Sequence, residues 1–123
     1  MGTSNLPILI VGSNPRNLEL LAQFLKKENY ETIAASKLEQ FGEALTSGNR
    51  VGLALVDIAG FDRSIWEYCE QCSNQNIPLL IISPQQLSSI RQESMSHGAQ
   101  GVLFKPLVVK ELVNLVNTMI LES

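Results

Sequence analysis

Three polar side chains each stand alone at the end of an apolar run. Asp57 closes "LALVD" (Leu53 to Asp57), Ser83 closes "IPLLIIS" (Ile77 to Ser83), and Lys105 follows "GVLF" (Gly101 to Phe104). Singly, each has an ordinary explanation: Asp57 and Ser83 as helix caps, Lys105 as a solvated charge at a strand end. Jointly they say more. A carboxylate, a hydroxyl and an ammonium, each at the mouth of one parallel strand, would converge on one spot if those strands are neighbours, which makes a site for charged-group chemistry.

The elements needed to position them are legible. "PILIV" (Pro7 to Val11), "ETIAA" (Glu31 to Ala35), and the three runs already named are short and continuously apolar. That pattern fits strands covered on both faces, as in a parallel sheet. Between the first two runs, Leu18, Leu21, Ala22 and Leu25 form a stripe at helical spacing, in a helix that starts at Pro15 with Asn14 as its N-cap. Further helices are expected at Lys37 to Thr46, Ser64 to Asn74 and Gln85 to His97, and Val108, Leu112, Leu115, Val116 and Met119 mark a last one. Five βα units with right-handed crossovers build an α/β fold, a doubly wound parallel sheet with helices on both faces. Ligands of such sheets bind beyond the C-terminal strand ends. The residues there are Gly12, Ser13 and Asn14, then Asp57 to Phe61, Ser83 and Pro84, and Lys105 and Pro106.

At 123 residues, with 45% hydrophobic and 17% charged residues, the chain is expected to be one domain, without linker or repeat. A formal charge of −3 argues against direct nucleic-acid binding. No apolar run approaches the roughly 20 residues of a membrane helix, and Met1 leads into the polar "GTSN", so a cytoplasmic protein without signal peptide or membrane partner is expected. Cys69 and Cys72 have C-x-x-C spacing, but they lie within a helical pattern rather than at a helix start, and His97 is the sole histidine. A redox pair or zinc site is therefore not expected. His97 reads as a solvent-facing helix end, Trp66 and Tyr68 as packing groups, and Arg16 and Arg63 as solvated charges near the mouth.

The stretches "ILIVGSNPRN", "LALVDIAG", "WEYC", "IPLLIIS" and "HGAQGVLFKPL" resemble the receiver domains of two-component response regulators over essentially the whole chain. The resemblance implies a flavodoxin-like (βα)5 fold with strand order 2-1-3-4-5. It puts Asp57 at the phosphoacceptor, Ser83 at the hydroxyl that bonds the phosphoryl group, Lys105 at the lysine that pairs with it, and Pro106 at a proline whose peptide bond is commonly cis. Departures from the family pattern are as informative. Receivers hold Mg2+ with a pair of acids after the first strand, together with the phosphoacceptor; here those places are Gly12 and Ser13. Mg2+ is a hard cation that seeks carboxylates, so any binding near Asp57 and Ala59 should be weak. Without the metal, attack by Asp57 loses its main charge neutraliser.

Pro84 stands where the family has a small residue whose N–H also donates to the phosphoryl group, and loss of one such donor typically costs about 3 kcal/mol of transition-state stabilisation. "GFDRSI" replaces the family's Met-Pro-x-x-Asp-Gly loop, with Asp62 the one acid that could swing in. The family's switch aromatic, three residues before the lysine, is Val102. The reading that follows is a degenerate receiver, a non-enzymatic module with Asp57 phosphorylation impaired or absent. Its expected partners are a histidine kinase, a phosphotransfer or output domain, or a second copy, through the face of the fourth helix, fifth strand and fifth helix. A phosphorylation-competent receiver is the nearest alternative. A small-molecule or anion binder using the Gly12 to Asn17 loop is the second.

Overall fold

The computed structural model describes residues 6–48 and 50–122. Five strands alternate with five helices: β1 (Ile8–Val11), α1 (Pro15–Lys27), β2 (Thr32–Ala35), α2 (Leu38–Thr46), β3 (Leu53–Asp57), α3 (Ile65–Asn74), β4 (Leu79–Ser83), α4 (Ser88–Ser96), β5 (Gly101–Phe104) and α5 (Val109–Glu122). The strands form one sheet in the order β2-β1-β3-β4-β5, every neighbouring pair parallel. The expected class and strand order are both present.

Alternation along each strand divides the core in two. Leu9, Val11, Ala54, Val56, Leu79 and Ile81 face one way and pack with Phe41, Trp66 and Cys69 of α2 and α3. Ile8, Ile10, Leu53, Leu55 and Leu80 face the other and pack with Leu18 and Leu25 of α1 and Leu112 and Val116 of α5. Because both faces are covered, the strands read as unbroken apolar runs.

Asn14 caps α1 as its sequence suggests: its side-chain oxygen accepts from the N–H groups of Arg16, at 3.0 Å, and Asn17, at 3.2 Å, with Pro15 leading the helix. Asn14→Ala should cost about 1 kcal/mol in urea unfolding, the usual value of such a cap.

The helix boundaries need correction. α4 begins at Ser88, three residues after the expected Gln85; the Gln85 carbonyl, which a helix starting there would use as an acceptor in its ladder, instead accepts the Ser83 hydroxyl at 3.2 Å. It ends at Ser96, with His97 as its C-cap. Lys37 and Ser64 precede α2 and α3 as N-caps instead of lying within them. Val108 lies before α5 and is exposed rather than belonging to its apolar stripe.

Candidate functional site

The C-terminal ends of β1, β3 and β5 bring Gly12, Asp57 and Lys105 to one mouth, at the switch point where the chain turns from β2 back across β1 to β3. β3 is buried up to its final residue, so Asp57 is the first side chain of that strand to meet solvent. Lys105 Nζ lies 2.7 Å from Asp57 Oδ2, with both side chains partly shielded. The other carboxylate oxygen, Oδ1, accepts the Ala59 N–H at 3.1 Å. Both oxygens of the carboxylate thus have a donor within the protein.

Ser13, on the loop after β1, reaches the loop after β3. Its hydroxyl donates to the Ala59 carbonyl at 2.9 Å. Gly60, at φ +83, makes room for it: a Cβ there would stand 2.3 Å from Ser13 Oγ. A glycine serves both the backbone conformation and the close approach.

Ser83 is brought to the adjacent strand end, where β4 pairs with β3 and β5, and it is 1% exposed. Its hydroxyl, however, closes a local turn: it accepts the Gln85 N–H and donates to the Gln85 carbonyl at 3.2 Å. Of the three groups at the strand ends, two are in direct contact and the third is bonded elsewhere. Pro84 follows it and offers no N–H. The Lys105–Pro106 peptide is cis.

Beside Asp57 a cavity of about 240 Å³ opens between α1 and α5, with Gly12 and Lys105 in its wall. Its apolar side is formed by Leu18, Leu21, Phe24, Leu107 and Leu112. Sequence periodicity places these side chains on helix faces but does not show that the faces leave a gap.

The sequence matches the response regulator receiver domain family over residues 8–117. The chain belongs to that family. A heme response regulator HssR from Staphylococcus saprophyticus is 28% identical over 106 residues, covering 85% of this chain and 47% of that protein. The HssR of Staphylococcus aureus strain MRSA252 is 28% identical over 109 residues, with the same coverage. The chain therefore spans about half the length of the curated relatives it matches. Among solved structures, a CheY-like receiver domain protein from Methanospirillum hungatei superposes with a TM-score of 0.86 at 22% identity, covering 96% of this chain and 95% of that one. A two-component response regulator from Clostridium difficile gives 0.84 at 21%, covering 94% and 95%. At these identities the structural likeness speaks for the fold.

Other residues singled out in the sequence take clear places in this receiver. Val102, at the switch position, is 8% exposed and belongs to the core cluster on the α2 and α3 face. Asp62 accepts the Ser64 N–H at 2.9 Å and so serves the start of α3. Tyr68 stacks on Phe41 with ring centroids 5.4 Å apart, a packing role as expected. Cys69 and Cys72 are free and buried within α3. Burial, with the neighbouring Cys72 and Glu70 adding, pushes the Cys69 thiol far up; burial pushes Cys72 up to about 12. Both thiols are kept from the thiolate that reaction or metal ligation needs.

One reading is overturned. His97 is not solvent-facing: its ring stacks on Trp66, centroids 5.1 Å apart and 14° between planes, and its nitrogens meet the carboxylates of Glu70 and Glu93. Arg63 is exposed, as expected for a solvated charge, and its guanidinium also pairs with Glu93. The missed signal was present as two i, i+4 pairs, Trp66 with Glu70 and Glu93 with His97, on helices that pack side by side. Arg16 is exposed, as expected.

Proposed function

We propose that this receiver domain acts mainly as a regulatory protein-interaction module in two-component signalling, with phosphorylation of Asp57 impaired. Residues 1–123 are read as a single receiver-like domain, and Asp57, Ser83 and Lys105 as its phosphoacceptor, hydroxyl and lysine positions. The observation that carries the reading is the state of the loops where Mg2+ would be held. Gly12 and Ser13 contribute no carboxylate, and the Ser13 hydroxyl occupies the Ala59 carbonyl. Asp57, the remaining acid of the set, is matched by Lys105 and the Ala59 N–H. Among the described residues no group of three His, Cys, Asp or Glu side chains could hold a metal ion. One carboxylate in place of three does not fit a hard divalent cation.

Two further features agree. Ser83 is engaged with Gln85, and Pro84 lacks the N–H that would help bind a phosphoryl group. Val102 is packed in the core at the position where the family has its switch aromatic, so the switch position itself carries no aromatic to report phosphorylation. Receiver domains interact with histidine kinases and output domains in two-component systems. For this chain the proposed face is α4, β5 and α5, on which Leu87, Met95 and Val108 are about half exposed. No helix among the described residues is long and apolar enough to cross a membrane, which is compatible with a cytoplasmic role.

Incubation with Mg2+ and acetyl phosphate followed by intact mass tests the reading. The expected spectrum is that of unmodified protein. A stoichiometric phosphate that disappears in Asp57→Asn would establish the competent receiver instead.

A further inference from the structure

The cavity between α1 and α5 is the one feature of the mouth that phosphoryl chemistry leaves unused. At about 240 Å³ it is larger than the roughly 150 Å³ that holds one benzene ring, and far smaller than a nucleotide requires. Gly12 is the reason it opens toward Asp57. A Cβ at that position would stand 3.2 Å from Leu18 Cδ2 and 3.6 Å from Asp57 Cβ, so any longer side chain would project into the gap between them. The outer rim is apolar too, with Leu20 43% and Phe24 38% exposed to solvent.

The inner end is polar and has donors to spare. An ammonium carries three N–H groups, and Lys105 uses one on Asp57 Oδ2; the other two have no protein acceptor among the described residues. Asn14 and Asn17, in the first turn of α1, line the same wall and bring the positive end of the helix dipole to it. The Asp57 charge is already matched by Lys105 and the Ala59 N–H, which tempers its repulsion of a second anion.

We infer that this cleft binds a small carboxylate with an apolar ring or short chain. Its carboxylate sits on Lys105 and its hydrocarbon lies against Leu21, Phe24 and Leu112. The inference rests on the reading that no Mg2+ occupies the mouth beside Asp57, and it makes the altered metal seat a ligand site. A charge-assisted hydrogen bond at one end and hydrocarbon burial at the other are separable contributions, so each can be removed in turn.

The test is a titration of 15N-labelled protein with phenylacetate, followed by amide shifts. Saturable shifts at Gly12, Asn17, Leu21, Phe24 and Leu112 are expected, with a dissociation constant below about 1 mM. 2-Phenylethanol, which keeps the ring and lacks the charge, should bind about tenfold more weakly, and Lys105→Met should erase that difference. Phe24→Glu, a partly exposed position, should abolish binding while the melting temperature is kept. Absence of saturable shifts up to about 10 mM, equal affinity for the alcohol, or shifts confined to the α4, β5 and α5 face would overturn the proposal. A parallel sample with Mg2+ and acetyl phosphate separates the two readings. Phosphate on Asp57 with phenylacetate binding intact overturns only the silent phosphoacceptor, and no binding with no phosphate overturns only the cleft.

Discussion

The double substitution Gly12→Asp with Ser13→Asp is expected to raise Mg2+ affinity by at least about a hundredfold, some 2.7 kcal/mol. Two carboxylates would join Asp57 at the mouth, and loss of the serine hydroxyl would release the Ala59 carbonyl it now occupies. Hard oxygen donors are what this cation requires. Position 12 can accept the change if Leu18 gives by a few tenths of an ångström, since the tightest approach to a Cβ there is 3.2 Å, from the flexible end of that side chain. Three acids in one mouth repel, so in EDTA the variant should be less stable than the parent by about 1–2 kcal/mol. Mg2+ at about twenty times its dissociation constant should return about 2 kcal/mol. Phosphate transfer should remain slow until Pro84→Ala restores an N–H, a further gain of about two orders of magnitude. Calorimetry reads the first effect, and intact mass after acetyl phosphate reads the last. If the double variant binds Mg2+ no better than the parent, the missing acids are not what disables the site.

Trp66→Ala should cost about 3–5 kcal/mol, a large share of the stability of a domain this size. The indole is 6% exposed, belongs to the core on the α2 and α3 face, and carries the His97 ring on its outer side. Its loss would open a large cavity and also leave the end of α4 without its stack. By the usual scaling the melting temperature should fall by about 10–20 °C. His97→Ala should cost only about 1 kcal/mol, because Glu70 is exposed, where such pairs contribute little, and Glu93 is no nearer than 4.0 Å. Urea unfolding of both variants separates the two contributions. Equal losses would mean that the stack, rather than the buried ring, holds α3 to α4.

The sheet was readable because its strands are covered on both faces and so appear as uninterrupted apolar runs, each at the right distance from the next helix. Asn14 and Pro15 marked the start of α1 because capping is a local interaction within four residues. α4 was misjudged for the complementary reason. Its polar "QQLSSIRQES" has a weak stripe, and the bond of the Ser83 hydroxyl to the Gln85 carbonyl just before it is a local contact that no periodicity reveals. At the mouth, strand ends disclosed which residues are adjacent but not which atoms bond. The contact of Asp57 with Lys105 spans β4, which lies between their strands, and depends on the reach of the long lysine side chain. The hydrogen bond from Ser13 to Ala59 joins loops 46 positions apart and needs the left-handed Gly60 beneath it. The cleft between α1 and α5 is a gap between two helix faces, and gaps leave no mark in sequence.

Asp57, paired with Lys105 and without acidic neighbours on the β1 loop, is expected not to recruit Mg2+. Isothermal titration of Mg2+ into the parent chain and into Asp57→Asn addresses it most directly. No saturable heat is expected in either protein up to about 10 mM. A sub-millimolar site in the parent that vanishes in Asp57→Asn would contradict it.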